Sequence, residues 1–335
     1  MNKLELIQEI KNAHIEIIWC VKFHPFYNIF ASSGNDRKII IWEFNKNSNL
    51  YEKKSILSES HNKTIRSLCW DYSGKYLAAG SFDKKITIWK FKNNIQPFLF
   101  ECITSLEGHE SEIKNISFSI SGKYLASCSR DKTIYIWYIE NENEEIDFGC
   151  SSVLLDAHEQ DIKCVKFSPR EDVLFSSSFD DCIKIWKYDE VNDDFVNINK
   201  LKEHKGTVWF IDFNKDGNKF ISCSDDKCIF LWNIDFTTKE PYKNITILYR
   251  IENCHKRCIY SSKFTYDEKY ILSCSQDNSI GLYELNEEKN KIIYKENLNN
   301  AHKYDVNYIE CNSSSNLILS CSDDSSIKIW KIKEN

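Results

Sequence analysis

The sequence predicts an all-β chain folded as a seven-bladed propeller. Three observations carry that reading. Seven of the eight histidines recur at near-constant intervals: His14, His61, His109, His158, His204, His255 and His302, with gaps of 46 to 51 residues. Each is followed 22 residues later by an aspartate: Asp36, Asp83, Asp131, Asp180, Asp226, Asp277 and Asp324. Six residues after each aspartate stands an aromatic: Trp42, Trp89, Trp137, Trp186, Trp232, Tyr283 and Trp330. The His-to-Asp spacing never varies, and insertions fall only between the aromatic and the next histidine. A fixed period of about 40–50 residues marks a radial repeat fold.

Within each unit the pattern is that of strands. IKNISFS, KYLASCS and TIYIWYI alternate apolar and polar residues, and the turn segments SISGK and SRDKT separate them. A further short strand precedes the next histidine, as in ECITSLEGH. Each unit therefore supplies four strands. The last unit ends after its third strand, IKIWKIK, and the first is preceded by a spare strand, LELIQEI. That N-terminal strand is expected to complete the last blade and close the ring, leaving no propagating sheet edge. The whole of 1–335 then reads as one domain.

Composition agrees and excludes several classes. Aromatics make up 14% of the chain and proline only four residues, a balance that favours strands. No stretch approaches the roughly 18 apolar residues of a membrane helix. The opening MNKLELIQEIKNAH sets Glu5 and Glu9 in its apolar stretch, unlike a secretory signal or transit peptide. Acids outnumber bases by 50 to 44, so no net positive field attracts nucleic-acid phosphates.

The fixed spacing has a chemical reason. These residues resemble the WD-repeat (WD40) family, whose blades join a His, a Ser or Thr, an Asp and a Trp by hydrogen bonds. The serine stands four residues before the aspartate at Ser32, Ser127, Ser176, Ser222, Ser273 and Ser320. In blade two that place is Ala79, so a shortened network is expected there. A carboxylate accepts, an imidazole donates and accepts, a hydroxyl relays and an indole N–H donates. The phase of the histidines thus assigns them structural work rather than catalysis or metal binding. No Gly-rich phosphate loop and no nucleophile–base pair remains once the repeat is subtracted, so no catalytic residue is assigned.

The fourteen cysteines read as reduced thiols. Cys128, Cys223, Cys274 and Cys321 share one phase, three residues before the aspartate, and should pack between sheets. Cys254 and Cys258 flank His255, which already has a structural task, and no CxxC pair exists, so no metal site is assigned. The acidic segments ENENEEID (140–147) and DEVNDD (189–194) should be exposed hairpins.

A propeller does not choose a function, so function must be sought in what differs among the blades. In WD-repeat propellers three places per blade reach one rim: three and five residues after the His, and one before the Asp. Five after the His stand Trp19, Arg66, Lys114, Lys163, Trp209, Tyr260 and Asn307. One before the Asp stand Asn35, Phe82, Arg130, Phe179, Asp225, Gln276 and Asp323. Blades two to four thus gather Arg66, Lys114, Arg130 and Lys163 with Phe82 and Phe179, while Trp19, Trp209 and Tyr260 come from blades one, five and six. Arg, Trp and Tyr dominate interface hot spots. This rim should bind an acidic peptide that also offers a bulky apolar side chain. Arg130, the one cation before an Asp, can fork onto a carboxylate with two hydrogen bonds.

The run ECITSLEGHESEIKNISFSISGKYLASCSRDKTIYIWYIE (101–140) resembles blade three of the WD-repeat subunit of the cytosolic iron–sulfur assembly (CIA) targeting complex. SILSESHNKTIRSLCW, EHKGTVWFIDF and AHKYDVNYIECN resemble its blades two, five and seven. The resemblance implies a non-catalytic adaptor, without a cofactor of its own, that helps deliver Fe–S clusters to cytosolic and nuclear apoproteins. It implies as partners the small cysteine-bearing subunit and the HEAT-repeat subunit of the targeting complex, the iron-only-hydrogenase-like carrier and apo Fe–S clients, in the cytoplasm with the nucleus as a second site. It carries a functional rim arginine onto Arg130. The rival reading is another WD40 scaffold, a ubiquitin-ligase substrate receptor or a chromatin reader. The receptor's Trp-Asp followed by Arg two residues on is missing, since Glu43, Lys90, Tyr138, Lys187, Asn233, Glu284 and Lys331 follow the blade-ending aromatics.

Overall fold

A computed structural model describes residues 3–92, 99–142, 145–286, 291–312 and 316–333. Among them the strands form seven four-stranded antiparallel sheets, the blades of a propeller. Blade three shows the plan: Ile113–Phe118 innermost, then Tyr124–Ser129, Ile134–Glu142 and Glu145–Leu154 outermost. Neighbouring sheets cover both faces of the second strand, so Ile29–Gly34 and Val173–Ser178 are buried throughout. The outer strand is covered on one face only, and Ile245–Ile251 accordingly alternates half-buried and exposed. The core lies between the blades, where Phe30 stacks on Trp42 and Phe220 on Trp232.

The ring closes as the sequence predicts. Leu4–Ile10 pairs antiparallel with Ile327–Ile332 and is the outer strand of the last blade. Gln8 then ties this blade to the first. Its side-chain amide donates to the Tyr51 carbonyl and accepts from the Tyr51 N–H, both at 2.8 Å, imitating a backbone ladder pair.

The polar lock repeats in each blade. In blade one His14 Nδ1 lies 2.8 Å from Asp36, His14 Nε2 lies 2.7 Å from Ser32 Oγ, and Trp42 Nε1 donates to the same Oγ at 2.8 Å. Indole can only donate and carboxylate can only accept. A neutral imidazole protonated at Nδ1 therefore completes the chain with no unmet donor. Burial alone would raise the seven aspartates, but the paired imidazole and backbone N–H donors hold every one below the usual carboxyl range.

Blade two corrects an expectation. Its network is complete despite Ala79. Thr87 sits on the third strand directly across from Ala79, and its Oγ1 lies 2.9 Å from His61 Nε2 and accepts from Trp89 Nε1 at 3.0 Å. The hydroxyl has moved one strand over. In blade six the aromatic is Tyr283, whose hydroxyl donates to the Cys254 carbonyl at 3.4 Å. Gly281 makes room for it, since a Cβ there would stand 2.5 Å from that hydroxyl.

His24, the one histidine out of phase, staples blades one and two. Its Nδ1 accepts from the N–H groups of Phe26 and Tyr27, and its Nε2 lies 2.9 Å from the Gly74 carbonyl. Gly74 adopts φ +68°, and a Cβ there would meet the His24 ring at 2.6 Å. The four cysteines in phase are fully buried between sheets, and all fourteen are free thiols. DEVNDD forms an exposed turn between Ile183–Asp189 and Asp194–Leu201. The tip of the ENENEEID segment, 143–144, lies outside the described residues.

Two outcomes follow for stability. Thr87→Val should cost about 1–3 kcal/mol by urea denaturation, through an unpaired indole and imidazole. Adding Ala79→Ser should recover part of the loss by returning the hydroxyl to the second strand, and no recovery would refute the relay. The second outcome concerns acid. Burial holds His158 and His302 low and drives His24 down to about 4. Below about pH 6.5 the unfolded chain takes up protons that these folded imidazoles refuse, so stability falls. Below about pH 4 the depressed aspartates add their own loss in the same direction. Urea midpoints should decline steadily from about pH 7 to pH 3, and a flat or rising profile would contradict this account.

Candidate functional site

Every blade carries a β-bulge at one place. The pairing of the innermost with the second strand shifts register between Ile18 and Cys20, Ile65 and Ser67, Ile113 and Asn115, Ile162 and Cys164, Val208 and Phe210, Ile259 and Ser261, and Val306 and Tyr308. The skipped residues are Trp19, Arg66, Lys114, Lys163, Trp209, Tyr260 and Asn307, the places five after the His. A bulge re-aims its side chain out of the pleat. The second family of rim places is pinned as regularly. The N–H of the residue before each Asp donates to the carbonyl three after the His, as from Phe82 to Thr64 at 2.9 Å and from Arg130 to Glu112 at 3.0 Å.

The predicted cations and aromatics come together in pairs. Arg66 lies over the Trp19 ring at 4.6 Å, and Lys114 over Phe82 at 4.2 Å. Lys163 lies between Phe179, at 5.5 Å, and Trp209, at 5.1 Å. Trp209 meets Tyr260 edge-on at 5.1 Å. The rings are less open than the sequence suggests. Trp19, Phe82, Trp209 and Tyr260 are half-buried, covered by these cations and by one another; only Phe179, 54% exposed, is an open aromatic among them.

Arg130 is exposed, but it is not isolated. Its Nη1 lies 3.3 Å from Glu112, and its Nε 4.0 Å from Asp161. Lys163 also meets Asp161, at 3.4 Å. The cluster in blades two to four is therefore four cations interleaved with two acids. Sequence reasoning placed Asp225 and Asp323 on the rim but missed that its other half is acidic. Blades five to seven hold Asp225, which accepts from Trp209 at 3.0 Å, Asp305, which accepts from Tyr260 at 3.4 Å, and Asp323, which accepts from Asn307 at 2.7 Å. The rim is polarised, positive on one side and negative on the other. The signal was present in the positions three after the His and one before the Asp, once charge is counted blade by blade.

Deeper in the channel, eight residues after the His, stand Lys22, Lys166, Asp212, Lys263 and Glu310. They form a ladder across five blades: Lys22–Glu310 at 2.6 Å, Glu310–Lys263 at 3.6 Å, Lys263–Asp212 at 3.0 Å and Asp212–Lys166 at 3.7 Å. Burial opposes the Glu310 charge, but Lys22 and Lys263 outweigh it and hold the carboxyl at about 2. Each carboxylate of the ladder is already shared by two lysines. Among the described residues no group of three or more His, Cys, Asp or Glu is arranged to hold a metal ion.

Residues 5–43, 53–90, 100–138, 149–187, 195–233, 246–284 and 295–331 each match the family WD domain, G-beta repeat. The chain belongs to the WD40-repeat family. Each WD40 window opens on the outer strand of the preceding blade, which is why the first begins on the strand that closes the ring. The chain is 47% identical over 227 residues to a probable cytosolic iron-sulfur protein assembly protein CIAO1 homolog of Schistosoma japonicum, a match covering 68% of this chain and 62% of that protein. It is 46% identical over 232 residues to a probable cytosolic iron-sulfur protein assembly protein Ciao1 of Culex quinquefasciatus, covering 69% and 66% respectively. A probable cytosolic Fe-S cluster assembly factor of Schizosaccharomyces pombe is 32% identical over 299 residues, covering 84% of this chain and 46% of that protein. The chain thus matches less than two thirds of each relative's own length.

The crowding of rim cations is measurable. Burial pushes the Lys114 ammonium down to about 8; Glu112 opposes this, and Lys163 and Arg66 add to it. Acylation of Lys114 followed by mass spectrometry should show a pH midpoint near 8, and Glu112→Gln should lower it further. A midpoint shared with the exposed lysines would overturn this reading of the rim.

Proposed function

We propose that this WD40 propeller is a non-catalytic scaffold of the cytosolic iron–sulfur assembly machinery. It helps deliver Fe–S clusters to cytosolic and nuclear apoproteins by holding other proteins, while the cluster itself is cargo. The observation that carries the proposal is the likeness to proteins named for cytosolic iron–sulfur assembly, joined to a rim of unlike side chains on like backbones. The partners proposed are the small cysteine-bearing subunit, the HEAT-repeat subunit, the iron-only-hydrogenase-like carrier and apo clients. The compartment is the cytosol, with the nucleus as a second place of work.

The rim supplies the binding. Arg66, Lys114, Arg130 and Lys163 would receive the carboxylates of a partner segment, and Phe82 and Phe179 an apolar side chain beside them. Trp19, Trp209 and Tyr260 extend the surface around the ring. Arg130 is the residue best placed to exchange partners. Its contact to Glu112 is long and exposed, so a partner carboxylate can replace it at little cost. Exposure and a planar donor fork together make it the anchor.

Affinity purification of the chain from cell extract should recover iron–sulfur assembly proteins. Recovery of ubiquitin-ligase subunits or histones in their place would support the rival scaffold reading and overturn this one. Arg130→Glu should fold with an unchanged melting temperature and reduce both that recovery and iron–sulfur enzyme maturation in cells. Undiminished recovery and maturation would remove Arg130 from the site.

A further inference from the structure

The rim lies at the start of the innermost strands, just after each His. At the other end of those strands are the turns that lead into the second strands. A six-residue strand spans roughly 20 Å, so the turns form a face on the opposite side of the ring from the rim. In blades one to three their tips are apolar. Phe26 is 70% exposed, Tyr72 43% and Ile120 36%. These side chains are not on loose loops. Asp71 accepts from the Tyr76 N–H at 2.7 Å and the Ser73 N–H at 3.1 Å, and Ser119 Oγ accepts from the Tyr124 N–H at 3.0 Å. The three tips edge a groove of about 1000 Å³ whose floor includes Phe91, Phe118 and Ile139. Contiguous exposed apolar side chains on rigid turns are unfavourable in water and mark a contact surface.

The charge of the groove selects its occupant. Lys75, Lys90 and Lys92 are among its lining residues. Asp71 is the acid among the lining residues, and its carboxylate is taken up by its own turn. Lys92 is shared with Glu101, which stands outside the groove, and Lys75 is exposed. A two-fold contact between copies of this chain would set a lysine wall against itself, because such an interface is isologous. We infer that this groove docks an acidic segment of a partner protein, with apolar side chains seated between Phe26, Tyr72 and Ile120 and carboxylates facing Lys75 and its neighbours. The surface is separate from the rim, and the inference does not depend on which proteins the rim binds.

A phage-displayed random peptide library selected on the full chain tests it, with each winner re-measured on variants. Winners should be net acidic with one or two Leu, Phe or Trp. One group of them should lose at least tenfold in affinity on the Phe26→Asp/Ile120→Asp double variant and several-fold on Lys75→Glu, weaken as salt rises, and bind Arg130→Glu unchanged, which separates it from clones seated on the rim. Lys75→Glu leaves the apolar contacts alone and keeps the test valid should the double variant fold poorly. A selection in which no acidic clone depends on Phe26, Ile120 or Lys75 overturns the inference. So does a concentration-dependent dimer, seen by sedimentation, that the Phe26→Asp/Ile120→Asp variant abolishes.

Discussion

The seven aspartates are the constraint on which the molecule depends. Each accepts from a histidine Nδ1, from the N–H that follows that histidine and from the N–H two residues beyond itself. In blade five these contacts are 2.8 Å from His204, 2.9 Å from Lys205 and 3.0 Å from Cys228. Two chain segments, the one opened by the histidine and the turn that holds the aspartate, are joined at one carboxylate. The residue after each aspartate, from Arg37 through Ser325, is held at positive φ between 60° and 77° without being glycine. Backbone in that region is costly for an L side chain and persists only where neighbours over-determine it. The carboxylate provides that over-determination seven times. It also fixes the residue before it, which is a rim place. Lock and rim positions are thus adjacent in the chain, and the second inherits its geometry from the first.

This explains how unlike side chains can occupy like positions. The bulge sets the direction of one family of rim residues, and the aspartate turn sets the other. Neither uses the side chain that it presents. Phe82, Arg130 and Asp225 therefore stand on one backbone geometry while differing in size, charge and polarity. The pairing of cations with ring faces has a further consequence. A cation over an aromatic keeps favourable electrostatics when water is removed, where a bare surface ion pair gains little. The rim of blades two to four can be covered by a partner without leaving its charges stranded.

The fold was almost wholly legible because its signal is periodic and its chemistry repeats. Seven equal spacings gave blade number, strand order and ring closure together. What escaped lies outside the period. Thr87 was hidden because the relay was sought along one strand, whereas the hydroxyl had crossed to the neighbouring strand in register with Ala79. His24 has no phase and acts between blades. Glu112 and Asp161 stand three residues after their histidines, yet their effect on Arg130 depends on two adjacent blades presenting them to one guanidinium. The burial of the rim aromatics was likewise unreadable, since it comes from side chains of neighbouring blades. Features that keep the repeat's phase follow from sequence spacing, while a displaced hydroxyl or a contact between blades needs the folded ring.

The cysteines suit the proposed role, in which the iron–sulfur cluster is cargo. Thiolate, not thiol, is the ligand, and its availability falls as the pKa rises and as access closes. Burial pushes thirteen thiols above their ordinary value, including the two exposed ones, Cys102 and Cys150. Cys128, Cys223, Cys274 and Cys321 recur at one phase because only a small side chain fits between blades there; the other blades hold Ser33, Gly80 and Ser177. The histidines, the other common ligand of iron and zinc, are each committed at both ring nitrogens to the lock or, for His24, to backbone. A surface rich in free thiols or imidazoles would compete with clients for the cargo. The packing that builds the ring withdraws the imidazoles and most of the thiols, so under the proposed function stability and passivity toward the cluster come from the same contacts.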